Sequence, residues 1–176
     1  MRPLIPSLAC IVLLASCTNE PKVAEATAPP GSLAEIEQRI VADPADPEMF
    51  ALRARYYEGI DSLVRAESDW KRAIALDTAS ARWRIALGDL YFRKIRLPEA
   101  EERFKEAIRL EPDSTEGRSK LGEVLLMQLR YKEAMAVANE ALRIDPQNAE
   151  VYNLKGWIHR QAGDTALAIS SYQTAV

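Results

Sequence analysis

Few side chains in this sequence could carry out chemistry. There is one histidine, His159, and there are two cysteines, Cys10 and Cys17. A histidine acting as general base needs a nucleophile or proton donor held against it, and a further group to orient it. The chain has no Gly-x-Ser-x-Gly elbow, no His-Glu-x-x-His pair and no Gly-rich phosphate loop. Asp145-Pro146-Gln147-Asn148 lacks the alternating oxygen ligands of a calcium loop. The carboxylate pairs Glu101-Glu102 and Glu35/Glu37 fall on solvent-side helical positions, with Lys105 one turn after Glu101. They predict a solvated face rather than an acid–base pair. Both cysteines precede residue 18, so the rest of the chain has no disulfide framework and no thiolate metal cluster. The expectation is no catalytic residue, no cofactor and no metal: a non-enzyme.

Cys17 is the one residue in a reactive context. Arg2 precedes an apolar run from Leu4 to Ala15, broken by Pro6 and too short to span a bilayer. Such a run is a secretory signal. It ends Leu14-Ala15-Ser16-Cys17: an aliphatic residue, two small residues and a cysteine. That order resembles the lipobox of bacterial lipoproteins. The resemblance implies cleavage after residue 16, lipidation of Cys17 and residence in the bacterial cell envelope. Each buried CH₂ of an acyl chain contributes about 0.8 kcal/mol, so two or three chains hold a protein on a membrane. Thr18, where the enterobacterial sorting rule would place Asp for retention at the inner membrane, points to the outer membrane. Residues 17–31, with Pro21, Pro29 and Pro30, read as a flexible tether.

The remaining chain is the apparatus that would position a binding surface. Only 7 of 176 residues are Gly, Ala is abundant, and 23 Lys and Arg are mixed with 26 Asp and Glu. That composition predicts helices. A formal charge of −3 with no dense basic face argues against a nucleic-acid partner. Ser32-Leu33-Ala34-Glu35 is a capping box, and Leu33, Ile36, Ile40 and Val41 give a helical stripe. Residues 32–46 thus form a lone helix that caps the stack.

From there a period appears. Asp43-Pro44, Asp77-Thr78, Glu111-Pro112 and Asp145-Pro146 each lie 34 residues apart. Between them Leu87, Gly88 and Tyr91 mark one helical face, and Ala100, Phe104 and Ala107 another. Gly inside a helix costs roughly 1 kcal/mol against Ala, so Gly88 implies that a second helix backbone comes close. Gly59 to Asp61 and Gly163-Asp164 supply the turns between paired helices. The pattern of aromatic, Leu-Gly, aromatic, Ala, aromatic and Pro at this period resembles the tetratricopeptide repeat. The units are 47–80, 81–114, 115–148 and an incomplete 149–176, whose missing cap leads us to expect a fragment of a longer protein. The resemblance implies an all-α, right-handed solenoid of antiparallel helical hairpins. His159 takes the place held by Tyr57 and Tyr91, which predicts packing rather than catalysis.

In stacked hairpins of this family, the first-helix face turned away from the buried stripe lines a concave groove. Here that face carries Arg55, Arg82, Ile85, Asp89, Phe92, Arg93, Glu123, Leu126, Met127, Asn153, Trp157 and Arg160. Several are apolar where water is expected, and Trp and Arg are common interface anchors. The groove lacks the Lys and Asn pattern of members that clamp chaperone C-termini. The expected function is therefore a membrane-anchored scaffold that binds a protein or peptide. Two alternatives stand beside it: a repeat module of a longer enzyme or sensor, and a self-association module giving homo-oligomers.

Overall fold

In a computed structural model of the chain, residues 31–175 are described, and among them there are nine α-helices and no strand. Helix α1 (Leu33–Ala42) stands first. Four hairpins follow: α2 (Pro47–Gly59) with α3 (Leu63–Leu76), α4 (Ala81–Arg93) with α5 (Leu97–Leu110), α6 (Thr115–Met127) with α7 (Tyr131–Ile144), and α8 (Ala149–Gln161) with α9 (Thr165–Thr174). Together they make a helical repeat solenoid. The signal segment, Cys17 and all of the tether except Gly31 lie outside the described residues.

Local chemistry sets the helix ends. Ser32 Oγ accepts from the Glu35 amide at 3.2 Å, and the Glu35 carboxylate reaches back to the Gly31 amide at 2.7 Å. Asp46 caps α2 by accepting from the Glu48 amide at 2.9 Å, with Pro47 in the first turn. The chain leaves α1, α3, α5 and α7 at Asp43, Asp77, Glu111 and Asp145. Asp77 does so before Thr78, so the exit does not require proline.

Two of the four hairpin turns, at Asp61 and Gly163, fall where the sequence placed them, and two carry no such signal. Each pivots on one left-handed residue: Asp61 (φ 57°), Ile95 (φ 57°), Leu129 (φ 62°) and Gly163 (φ 89°). The next amide then bonds back five residues, as Arg96 N–H does to the Tyr91 carbonyl at 2.8 Å and Arg130 N–H to that of Leu125 at 2.9 Å. This closes the carbonyls left over at each helix end. Gly59 is an ordinary helical residue, and two hairpins turn on exposed aliphatic side chains instead of glycine.

Ala66, Ala73, Ala100, Ala107, Ala134 and Ala141 are fully buried where paired helices meet. Trp70 and Trp83 tie the first hairpin to the second, with ring centroids 6.0 Å apart. The close approach at Gly88 is made by a ring and not by a backbone. A Cβ there would stand 2.6 Å from Phe104 Cε1. Gly156 meets the Tyr172 ring in the same way, while Gly122 receives Leu154 of the next hairpin.

Glu101 is not a solvated carboxylate as its position suggested. It accepts from Lys105 at 2.6 Å, as the four-residue spacing predicts, but also from Gln128 at 3.0 Å and Arg130 at 2.8 Å across the hairpin junction. One repeat earlier Glu67 does the same with Lys71, Lys94 and Arg96. Both carboxylates are mostly buried, at 14% and 13% side-chain exposure for Glu67 and Glu101.

Candidate functional site

The first helices of successive hairpins meet directly, α4 with α6 and α6 with α8, so they form the inner surface of the stack. That surface carries two adjoining cavities. The larger, about 510 Å³, lies where α6 faces α8, and Phe92, Glu123, Leu126, Met127, Trp157 and Arg160 line it together with Leu129 and Gln161. The second, about 430 Å³, lies over α2 and α4, with Arg55, Asp89, Phe92, Arg93 and Glu123 in its wall beside Glu58, Trp70, Ala86 and Lys120. Phe92 and Glu123 belong to both, so the two make one continuous groove.

Nine of the twelve residues expected on this face thus border the groove. Three do not. Ile85 is 6% exposed and belongs to the core, because the turn of α4 that carries it is packed by its neighbours. Arg82 is exposed but bound to Glu48 of α2, with its guanidinium 3.8 Å from the Trp83 ring centroid. Asn153 is exposed outside both cavities. Leu126 lines the cavity as a mostly buried floor. Leu129 was missed, because it belongs to a turn and not to the helix face that the periodicity picks out. Trp70 was missed because its helix is the second of its hairpin.

The electrostatics of the groove are largely settled internally. Arg93 pairs with Glu58, and Lys120 Nζ lies 3.6 Å from Asp89 Oδ1. Burial pushes the Asp89 carboxyl above its ordinary value despite Lys120. Burial likewise raises Glu123, against the pull of Lys120. Two cations have no carboxylate partner among the described residues: Arg160 at one end and Arg55, whose guanidinium sits 5.8 Å from the Trp70 ring centroid, at the other. Apolar surface remains open: Trp157 is 50% exposed, Met127 53% and Leu129 69%.

Tetratricopeptide repeat models match residues 85–149 and 137–170. Residues 85–170 carry tetratricopeptide repeats. Solved repeat structures resemble it over 81% of its length. The crystal structure of MamA is 22% identical, with 83% of that chain covered and a TM-score of 0.70. The structure of pilF of Pseudomonas aeruginosa is 20% identical, with 65% covered and a TM-score of 0.72. A thermophilic repeat protein of Thermus thermophilus is 20% identical, with 78% covered and a TM-score of 0.69. At these identities the likeness is one of fold. No curated protein matches the chain.

The repeat fold is that of a protein-interaction scaffold, and nothing among the described residues points to enzymatic activity. His159 is half-buried, and no group of three or more His, Cys, Asp or Glu among the described residues is arranged to hold a metal ion.

Proposed function

We propose that this chain is a lipid-anchored scaffold of the bacterial cell envelope, tethered through Cys17, which binds a protein partner along the inner face of its repeats. The observation that carries the binding part is the continuous groove, with half-exposed Trp157 in one cavity and Arg55 at the far end of the other. A large aromatic left open on a concave wall is what an interface anchor looks like before its partner arrives. The anchor part rests on Leu14-Ala15-Ser16-Cys17, a short apolar run before it and a Pro-rich stretch after it. No helix among the described residues is long and apolar enough to cross a membrane.

Two experiments test the two halves. Photo-crosslinking in envelope extract should give adducts that fall sharply in Trp157→Ala and Arg55→Ala; adducts indifferent to both would refute the groove. Cys17→Ser should move the protein from the membrane to the soluble fraction. Retention of the Cys17→Ser protein on the membrane would refute the lipid anchor.

Self-association is a second reading with its own observation: α9 leaves Leu167 and Ile169 about half exposed. Sedimentation at several concentrations decides it.

A further inference from the structure

We infer that the groove takes an acidic peptide segment with a bulky apolar side chain, which seats between Met127, Leu129 and Trp157 while a neighbouring Asp or Glu pairs with Arg160. The inference rests on the groove being the binding face and says what chemistry it accepts.

Shape comes first. The cavity between α6 and α8 is about 510 Å³, large enough for one aromatic or leucine side chain with backbone on either side. Its apolar wall stays open to water: Met127 is 53% exposed, Trp157 50% and Leu129 69%.

Charge then chooses among peptides. The groove's carboxylates are committed: Glu58 to Arg93 and Asp89 to Lys120. Glu123 is only partly exposed and lies beside Lys120, whose charge draws on it. The exposed groove charges without an ion-pair partner among the described residues are both positive, Arg160 and Arg55. Guanidinium groups favour carboxylates because two N–H donors match two oxygens. The carboxylate comes from a side chain and not from a chain end. Phe92 and Glu123 are shared by both cavities, so the channel runs on past the apolar seat, and a bound segment passes through.

The experiment is selection of displayed random dodecapeptides on the intact chain, followed by titration of the enriched sequences with blocked termini. The expected enrichment is a bulky apolar residue close to Asp or Glu. Affinity should fall at least about tenfold in Trp157→Ala and in Arg160→Glu, and should weaken with added salt. Exchanging the peptide's acids for Lys should abolish binding to the native chain and restore it in Arg160→Glu. Both positions are exposed, so thermal melts of the variants should match the native chain. Enrichment of basic peptides, or acidic peptides indifferent to Arg160→Glu, would overturn the assignment of charge. If those peptides still depend on Trp157, the groove reading survives. Peptides indifferent to both Trp157→Ala and Arg55→Ala overturn both. Self-association that disappears in Trp157→Ala would make a second copy the occupant and would also overturn the inference.

Discussion

Replacing Gly88 with alanine places two opposing effects in one methyl group. In a helix interior Ala is favoured over Gly by roughly 1 kcal/mol. The new Cβ, however, would stand 2.6 Å from Phe104 Cε1, 2.9 Å from Cζ and 3.0 Å from Cδ1. Carbon atoms in contact prefer about 3.5–4.0 Å, so the ring must retreat by about 1 Å. Phe104 is 1% exposed, on a helix whose other buried residues are Ala100 and Ala107, and has little room to retreat. Overpacking of this kind costs about 1–3 kcal/mol. The net expectation is a loss of about 1 kcal/mol, or a fall in Tm of about 2–4 °C for a chain of this size. Gly59→Ala is the matched control. Nothing lies within 4 Å of a Cβ at Gly59, and its backbone is helical, so the same methyl should stabilise by up to about 1 kcal/mol.

Thermal and urea denaturation followed by far-UV circular dichroism would measure both variants. The ring's part is isolated by a double-mutant cycle with Phe104→Leu. In that background Gly88→Ala should become neutral or stabilising, a coupling of about 1–2 kcal/mol. If Gly88→Ala is as stable as Gly59→Ala, or the cycle shows no coupling, the claim that the hairpin closes on a ring lodged against glycine is wrong.

Acid titration reports on the Glu67 junction. Burial raises this carboxyl, but hydrogen bonds from Lys71 and Lys94 outweigh that and hold it at about 2, below the ordinary 4.5. Its stabilisation is thus complete above about pH 4.5 and is lost as pH falls toward 2. Glu67→Gln should lower stability at neutral pH and flatten that part of the curve; a variant curve parallel to the native one refutes the coupling. Ile95 is left-handed (φ 57°) and 72% exposed, so Ile95→Gly should stabilise by about 1 kcal/mol, read from the urea midpoint; a loss of stability would mean the side chain packs in a way its exposure hides. Hydrogen exchange should find α9 amides opening faster than those of α5, because α9 buries only Ala168 while α5 buries Ala100, Phe104 and Ala107. Equal protection would refute the view that the fourth hairpin is held most weakly.

The architecture was legible because it is written in short-range signals. The 34-residue interval of Asp43, Asp77, Glu111 and Asp145 marks helix ends, and the Ala and aromatic positions between them mark the faces that pair. What stayed hidden depends on residues distant in sequence or on backbone conformation. Glu101 looks solvent-facing on its own helix, since the side chains that cover it come 27 and 29 residues later, from the turn of the next hairpin. Ile95 and Leu129 carry none of the Gly, Asn or Asp signals of a left-handed turn. Helical angle alone placed Ile85 on the groove, although the α4 residues around it are core. Trp157 and Arg160 were legible as surface, but the lack of a carboxylate partner for Arg160 emerges only when every neighbour has been placed.

The stack also changes character along its length, and the groove changes with it. At the first junction charges join both faces: Glu48 to Arg82 and Glu58 to Arg93 within, Glu67 to Lys94 and Arg96 behind. At the second, Asp89 meets Lys120, and Glu101 meets Gln128 and Arg130. The third has no counterpart. Met135 stands where Glu67 and Glu101 stood, Ala162 and Asp164 where their partners stood, and no ion pair among the described residues joins the third hairpin to the fourth. Leu154 against Gly122 and a 3.4 Å hydrogen bond from Asn148 to Thr115 act there instead. The large apolar cavity opens at this same junction. A ligand seated between Met127, Leu129 and Trp157 would touch both hairpins and supply the cross-links that the sequence omits. Binding to the joined form alone stabilises it by mass action. The junction without ion pairs and the open apolar cavity coincide because each requires the same thing: side chains left without partners in the free protein.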